Sequence, residues 1–178
     1  MGAYKITDIA KEIQIEKIMI HESYHSPVTY AHDITLLKLK NPATFGPGVG
    51  LVCLPDLNIS LVPGKRCYIT GWGTLSSGGY QPDYLQEASV PIVSAEQCKA
   101  SYGSSKIHES MICAGLDAGG VDACQGDSGG PMVCEFGGKW YLEGATSWGY
   151  GCAAPNYYGV YANVRNLKSW VEDTMNSN

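Results

Sequence analysis

Apolar and polar residues alternate along this chain in short runs set between turn residues, the pattern of strands more than of helices. Ile13-Gln14-Ile15-Glu16 alternates with period two, and Ile18 and Ile20 follow in the opposite phase. A phase change inside one run predicts a β-bulge. Further strands are predicted over residues 34–39 (closed by Asn41-Pro42), 67–70, 88–93, 131–136, 140–148 and 159–164. Gly46-Pro47-Gly48, Pro63-Gly64, Ser76-Ser77-Gly78-Gly79 and Gly137-Gly138 supply turns. One helix is predicted, at the end, where Val164, Leu167, Trp170 and Val171 form a single apolar stripe; it reads as a cap packed on the body. Many short strands with one terminal helix imply the all-β class, a barrel or a sandwich. The segment from Leu54-Pro55 to Val62-Pro63 is the best linker candidate.

Composition narrows the function. The chain has 178 residues, of which 16% are charged and 44% hydrophobic, the balance of a folded protein and not of a disordered one. Lys+Arg is 12 and Asp+Glu is 17, a net charge of −5 with no basic run, so nucleic-acid binding is not expected. No apolar stretch is long enough to predict a membrane span. The seven cysteines are scattered singly, without a C-x-x-C pair; they resemble disulfide partners more than a zinc site, and no metal site is expected. Disulfides imply an oxidising compartment, yet Lys5, Asp8, Lys11, Glu12, Glu16 and Lys17 interrupt the N-terminal stretch where an export signal would need an apolar core. The conflict, and the odd cysteine, lead to the expectation that Met1 is not the natural start.

The candidate chemistry lies in Asp122-Ala123-Cys124-Gln125-Gly126-Asp127-Ser128-Gly129-Gly130-Pro131. Ser128 sits among glycines that permit a tight turn, where successive backbone N–H groups can form an anion-binding nest. A hydroxyl beside such donors provides what acyl transfer needs, a nucleophile and a hole for the oxyanion. The surrounding motifs extend this. His32-Asp33-Ile34-Thr35-Leu36-Leu37, Cys53-Leu54-Pro55, Gly71-Trp72-Gly73, Met111-Ile112-Cys113-Ala114-Gly115, Ser147-Trp148-Gly149 and Gly159-Val160-Tyr161 occur in this order around the Ser128 motif. With them, from about Tyr4 to Trp170, the chain resembles the chymotrypsin/trypsin family of serine endopeptidases.

The resemblance implies a trypsin-like double β-barrel with a C-terminal α-helix: a partial first barrel over residues 1–55, then a linker, a complete second barrel and the helix over 56–178. It implies Ser128 as nucleophile, the N–H groups of Gly126 and Ser128 as oxyanion hole, and Asp33 as the carboxylate that orients the catalytic histidine, with Ser147 beside it. Asp127 is the acid that receives a new N-terminal ammonium on activation. Asp122 lies at the base of the specificity pocket, whose other residues are Ser147, Trp148, Gly149 and Gly159. A carboxylate at the bottom of an apolar slot favours a cationic side chain, so cleavage after Arg or Lys is expected, with a lean to Arg because Ala123 stands where many relatives have Ser. Implied disulfides are Cys67–Cys134, Cys98–Cys113 and Cys124–Cys152. Cys53 is left unpaired, its partner expected upstream of Met1. No organic cofactor is implied; an aromatic at Tyr158 occurs in relatives that bind Na⁺ beside the pocket. Expected partners are polypeptide substrates and protein protease inhibitors, for a secreted monomer whose signal peptide would lie upstream of Met1. Asn58-Ile59-Ser60 is a glycosylation sequon in the linker.

The family's histidine motif, Ala-Ala-His-Cys, is missing, and so is its Ile-Val-Gly-Gly N-terminus. His21, His25, His32 and His108 all lack the right context. His32, in a strand, would point away from the face of Asp33; His21 and His25 read as surface residues. The chain is therefore expected to be inactive alone, since losing the histidine in a comparable serine protease costs on the order of 10⁶ in turnover. Asp127, without its ammonium, is expected as an uncompensated charge that relaxes the loop around Ser128. Two readings stay open: a fragment of a secreted endopeptidase, or a shortened, non-catalytic homologue acting as a binding module.

Overall fold

The computed structural model describes residues 1–8 and 12–178; Lys11 of the charged N-terminal stretch lies outside them. The strands are β1 (Ile15–Ile20), β2 (Thr35–Leu39), β3 (Arg66–Gly71), β4 (Gln86–Val93), β5 (Met111–Ala114), β6 (Pro131–Phe136), β7 (Lys139–Trp148) and β8 (Gly159–Asn163). The helices are α1 (Ala95–Tyr102) and α2 (Lys168–Asn176). Strands β3 to β8 close into an antiparallel barrel in the order β3-β4-β5-β8-β7-β6, while β1 and β2 form a separate two-stranded sheet. The fold is all-β with a terminal helix, as the resemblance implies. The bulge expected in the first run is present as a register shift between Ile15 and Lys17 against β2.

Period-two burial builds the barrel interior. In β3, Cys67 and Ile69 face inward between exposed Arg66 and Tyr68. They join Val90, Ile92, Ala114, Met132, Cys134 and Tyr161 in one core cluster. Pro131 opens β6, a strand position that needs no ladder donor. Disulfides Cys67–Cys134, Cys98–Cys113 and Cys124–Cys152 are formed, and Cys53 is free and exposed. A second cluster joins Ala31 of the N-terminal segment to Cys98, Tyr102, Met111, Tyr158 and Val160.

The linker is clamped onto the barrel by a buried charge pair. The fully buried carboxylate of Glu143 accepts from Arg165 Nε at 3.1 Å and Nη2 at 2.7 Å. The remaining Nη1 donates to the carbonyls of Asp56 and Ile59 at 2.9 and 2.8 Å, so each Glu143 oxygen has an Arg165 donor and the guanidinium has partners beyond the pair.

Four expectations change. Helix α1 was not foreseen: it buries only Cys98 and Tyr102 and has no apolar stripe, but Ser94 caps it by accepting from the Gln97 N–H at 3.1 Å. The terminal helix starts at Lys168, so Val164 belongs to the turn before it. His21 is not a surface residue; it is 8% exposed, its ring stacked between His32 (4.6 Å) and Trp170 (4.8 Å). His32 is not in a strand, because its φ of 53° places it in a left-handed turn.

Candidate active site

A pocket of about 150 Å³ brings together Asp122, Ser128, Ser147, Trp148, Gly149 and Gly159. These residues come from the loop before β6, the end of β7 and the start of β8. The Cys124–Cys152 disulfide crosses it and joins the loop that holds Asp122 and Ser128 to the loop after β7.

Asp122 accepts from the N–H groups of Ala123 at 2.8 Å and Ala153 at 3.1 Å. Burial pushes its carboxyl above the usual carboxylate range, against the opposing pull of those two N–H bonds. Gly159 is required beside it: a Cβ there would stand 2.5 Å from Asp122 Oδ1 and 2.9 Å from the Tyr161 hydroxyl. That hydroxyl is fully buried and, among the described residues, has no hydrogen-bond partner. Burial also drives its pKa far upward, so it stays protonated. The pocket therefore offers a half-buried carboxylate, with the unpaired Tyr161 hydroxyl buried in the wall behind it. Sequence reading missed Tyr161 as a lining residue although Gly159-Val160-Tyr161 was read as a motif; inward direction in β8 is set by register, which the motif alone does not reveal.

Ser128 is exposed at the same pocket. The N–H groups of Gly126 and Ser128 donate to no partner among the described residues, whereas Asp127, Gly129 and Gly130 donate to Cys124 O, Thr146 O and Asp127 O. Two free donors thus flank the hydroxyl.

Asp127 departs from expectation. Its half-buried carboxylate accepts from Gly73 N–H at 2.7 Å through Oδ1 and from Cys124 N–H at 2.9 Å through Oδ2. Backbone donors compensate the charge and hold the loop in place. The fit explains the Gly71-Trp72-Gly73 motif, since a Cβ at Gly71 or Gly73 would fall 1.9 or 2.3 Å from Asp127 carboxylate atoms. Asp127 and both glycines line a neighbouring cavity of about 310 Å³.

Asp33 lies at the end of the N-terminal turn, and Ser147 Oγ donates to its Oδ2 at 2.5 Å. No histidine joins this pair. His21 Nδ1 accepts from Ser23 N–H, His25 Nδ1 from Tyr30 N–H, His32 Nδ1 bonds Ser26 O, and His108 Nδ1 bonds Ser110 Oγ. Tyr158, just before β8, is buried, and its hydroxyl donates to Asp117 Oδ1 at 2.7 Å. Among the described residues no group of three His, Cys, Asp or Glu could hold a metal ion, and no helix is long and apolar enough to cross a membrane.

Comparison with known proteins accounts for this geometry. The family model described as Trypsin matches residues 2–171. The chain is 44% identical to Trypsin-1 of Astacus astacus over 160 residues, 90% of this chain and 66% of that protein. It is 44% identical to Transmembrane protease serine 5 of Homo sapiens over 162 residues, 90% of this chain and 35% of that protein. To Ovochymase of Halocynthia roretzi it is 41% identical over 165 residues, 89% of this chain and 10% of that protein. The chain thus spans less than two thirds of the length of each of these relatives. It belongs to the trypsin family of serine proteases.

Proposed function

We propose that this chain carries the nucleophile and the specificity pocket of an extracellular serine endopeptidase that cleaves polypeptides after Arg or Lys. The observation that carries the reading is the half-buried carboxylate of Asp122 in one pocket with the exposed Ser128. A buried anion left unpaired is costly, and an entering cation relieves that cost. The planar guanidinium has five N–H donors in a fixed fork that suits the two oxygens of Asp122. With Ala123 supplying no hydroxyl, the pocket favours Arg over Lys.

In this reading Ser128 Oγ attacks the scissile carbonyl, its proton passing to a general base. The Gly126 and Ser128 N–H groups bind the oxyanion, the base gives that proton to the leaving amine as the C–N bond breaks, and water then releases the acyl group from Ser128 as a carboxylic acid. Asp33, held by Ser147, orients an imidazole base. The 310 Å³ cavity beside Asp127 receives an ammonium group on activation. Residues 1–55 form part of one barrel, and residues 56–178 form a linker, the second barrel and the helix.

None of the four histidines bonds Asp33 or Ser128, so the 178-residue chain alone is inactive. The same observation favours a second reading, a non-catalytic homologue that holds cationic peptides. Incubating the purified chain with an Nα-acyl-arginine ester tests the inactivity. No release above background is expected, and sustained release abolished by Ser128→Ala would overturn it.

A further inference from the structure

The linker carries a feature that proteolysis does not use. Asp56 to Ile59 form a turn in which Ile59 N–H donates to Asp56 O at 3.1 Å. Asp56 Oδ1 accepts from the Asn58 backbone N–H at 2.9 Å and from its Nδ2 at 3.0 Å. From beneath, Arg165 holds the carbonyls of Asp56 and Ile59. The barrel therefore grips the backbone of this turn and leaves the side chains of Leu57, Asn58 and Ser60 exposed.

We propose that Asn58 is the acceptor of an N-linked glycan. Asn58-Ile59-Ser60 has the required hydroxyl two residues on and no proline between. Asn58 Nδ2 makes its one bond to an exposed carboxylate oxygen, and releasing it leaves the backbone bonds of the turn intact. In the transfer, Nδ2 attacks C1 of a lipid-pyrophosphate-linked oligosaccharide. The N–C1 bond forms, the C1–O bond to phosphate breaks, the lipid pyrophosphate leaves with its electron pair, and one amide proton passes to the transferase. The product stands next to Leu57, which is 63% exposed, so the sugar shields an apolar side chain that folding leaves in water.

The proposal rests on the extracellular reading for its setting and not on catalysis. The test is translation of the full chain behind a cleavable leader with endoplasmic-reticulum microsomes, scoring only the protease-protected chain. A single upward mass shift is expected, removed by peptide-N-glycosidase with conversion of Asn58 to Asp. Asn58→Gln and Ser60→Ala abolish the shift; Ser60→Thr keeps it. A protected chain with all three disulfides and unshifted mass overturns the glycan and leaves the extracellular reading standing. A shift that persists in Asn58→Gln also overturns it. A shifted chain that forms no disulfides counts against the extracellular reading and supports the acceptor.

Discussion

The hydroxyl of Ser147 donates to the carboxylate of Asp33 at 2.5 Å, joining residues 114 apart in sequence. The bond ties the connection between β1 and β2 to the end of β7 at the mouth of the pocket. Hydrogen bonds to charged groups contribute about 1.5–3 kcal/mol, and Asp33 is partly solvated. Ser147→Ala is therefore expected to cost about 1–2 kcal/mol, read as a lower denaturant midpoint with unchanged slope.

The Glu143–Arg165 pair is expected to weigh more. Glu143 is 0% exposed, and Arg165 reaches both its oxygens and two linker carbonyls. Arg165→Met leaves the carboxylate buried alone, at a cost of about 3–5 kcal/mol. Replacing both residues with apolar ones of similar volume should recover most of that loss in the same denaturation experiment.

Acid should loosen the N-terminal segment from α2. His21 lies between His32 and Trp170, and Trp170 Nε1 donates to Glu22 at 2.8 Å. Burial pushes the His21 imidazole below its usual value of 6.5; Glu22 opposes this and His32 reinforces it. The folded state thus binds this proton less readily than the unfolded chain. Its stability contribution is present above pH 6.5 and is lost as pH falls through that value towards the lower folded pKa. The thermal midpoint should drop between about pH 7.5 and about pH 5.5, and drop less in His21→Phe. An equal drop in both proteins would show that His21 has no part in it.

Gly159 sets the space around Asp122. A Cβ at that position meets the Asp122 carboxylate at 2.5 Å, so Gly159→Val should fill the pocket. The variant is expected to lose affinity for a small cationic amidine by at least about tenfold, or 1.4 kcal/mol, in a fluorescence titration.

Strand pattern was legible in β3, where one face is buried and the other wet, and in β1 from alternation alone, since all but Met19 of that strand is exposed. The phase change between Ile15 and Ile18 marked the bulge, and the strand expected over residues 67–70 is β3. Helix α1 escaped because its stability comes from a cap and from Cys98, bound to Cys113, and not from an apolar stripe; Ser94 and Gln97, three apart, were the one local signal. Strand β5 was seen as a motif but is only four residues long, too short for periodicity to speak. The Ser128 loop could be read as chemistry because its glycines and acids are contiguous. What lies beneath it could not, since the cradle of Gly71 and Gly73 around Asp127 and the unspent hydroxyl of Tyr161 arise only when the barrel closes.

The central claim is that Asp122 makes this pocket a receptor for a cationic side chain. Isothermal titration of the purified chain with 4-aminobenzamidine tests it without requiring turnover. One-to-one binding is predicted, weakened by more than about 30-fold in Asp122→Asn, as expected when a buried charge pair loses one partner. Binding should also weaken on acidification at a higher pH than an ordinary carboxylate would give, because burial raises the Asp122 pKa. Binding of equal strength in the Asp122→Asn variant, or none to the parent chain, would contradict the account.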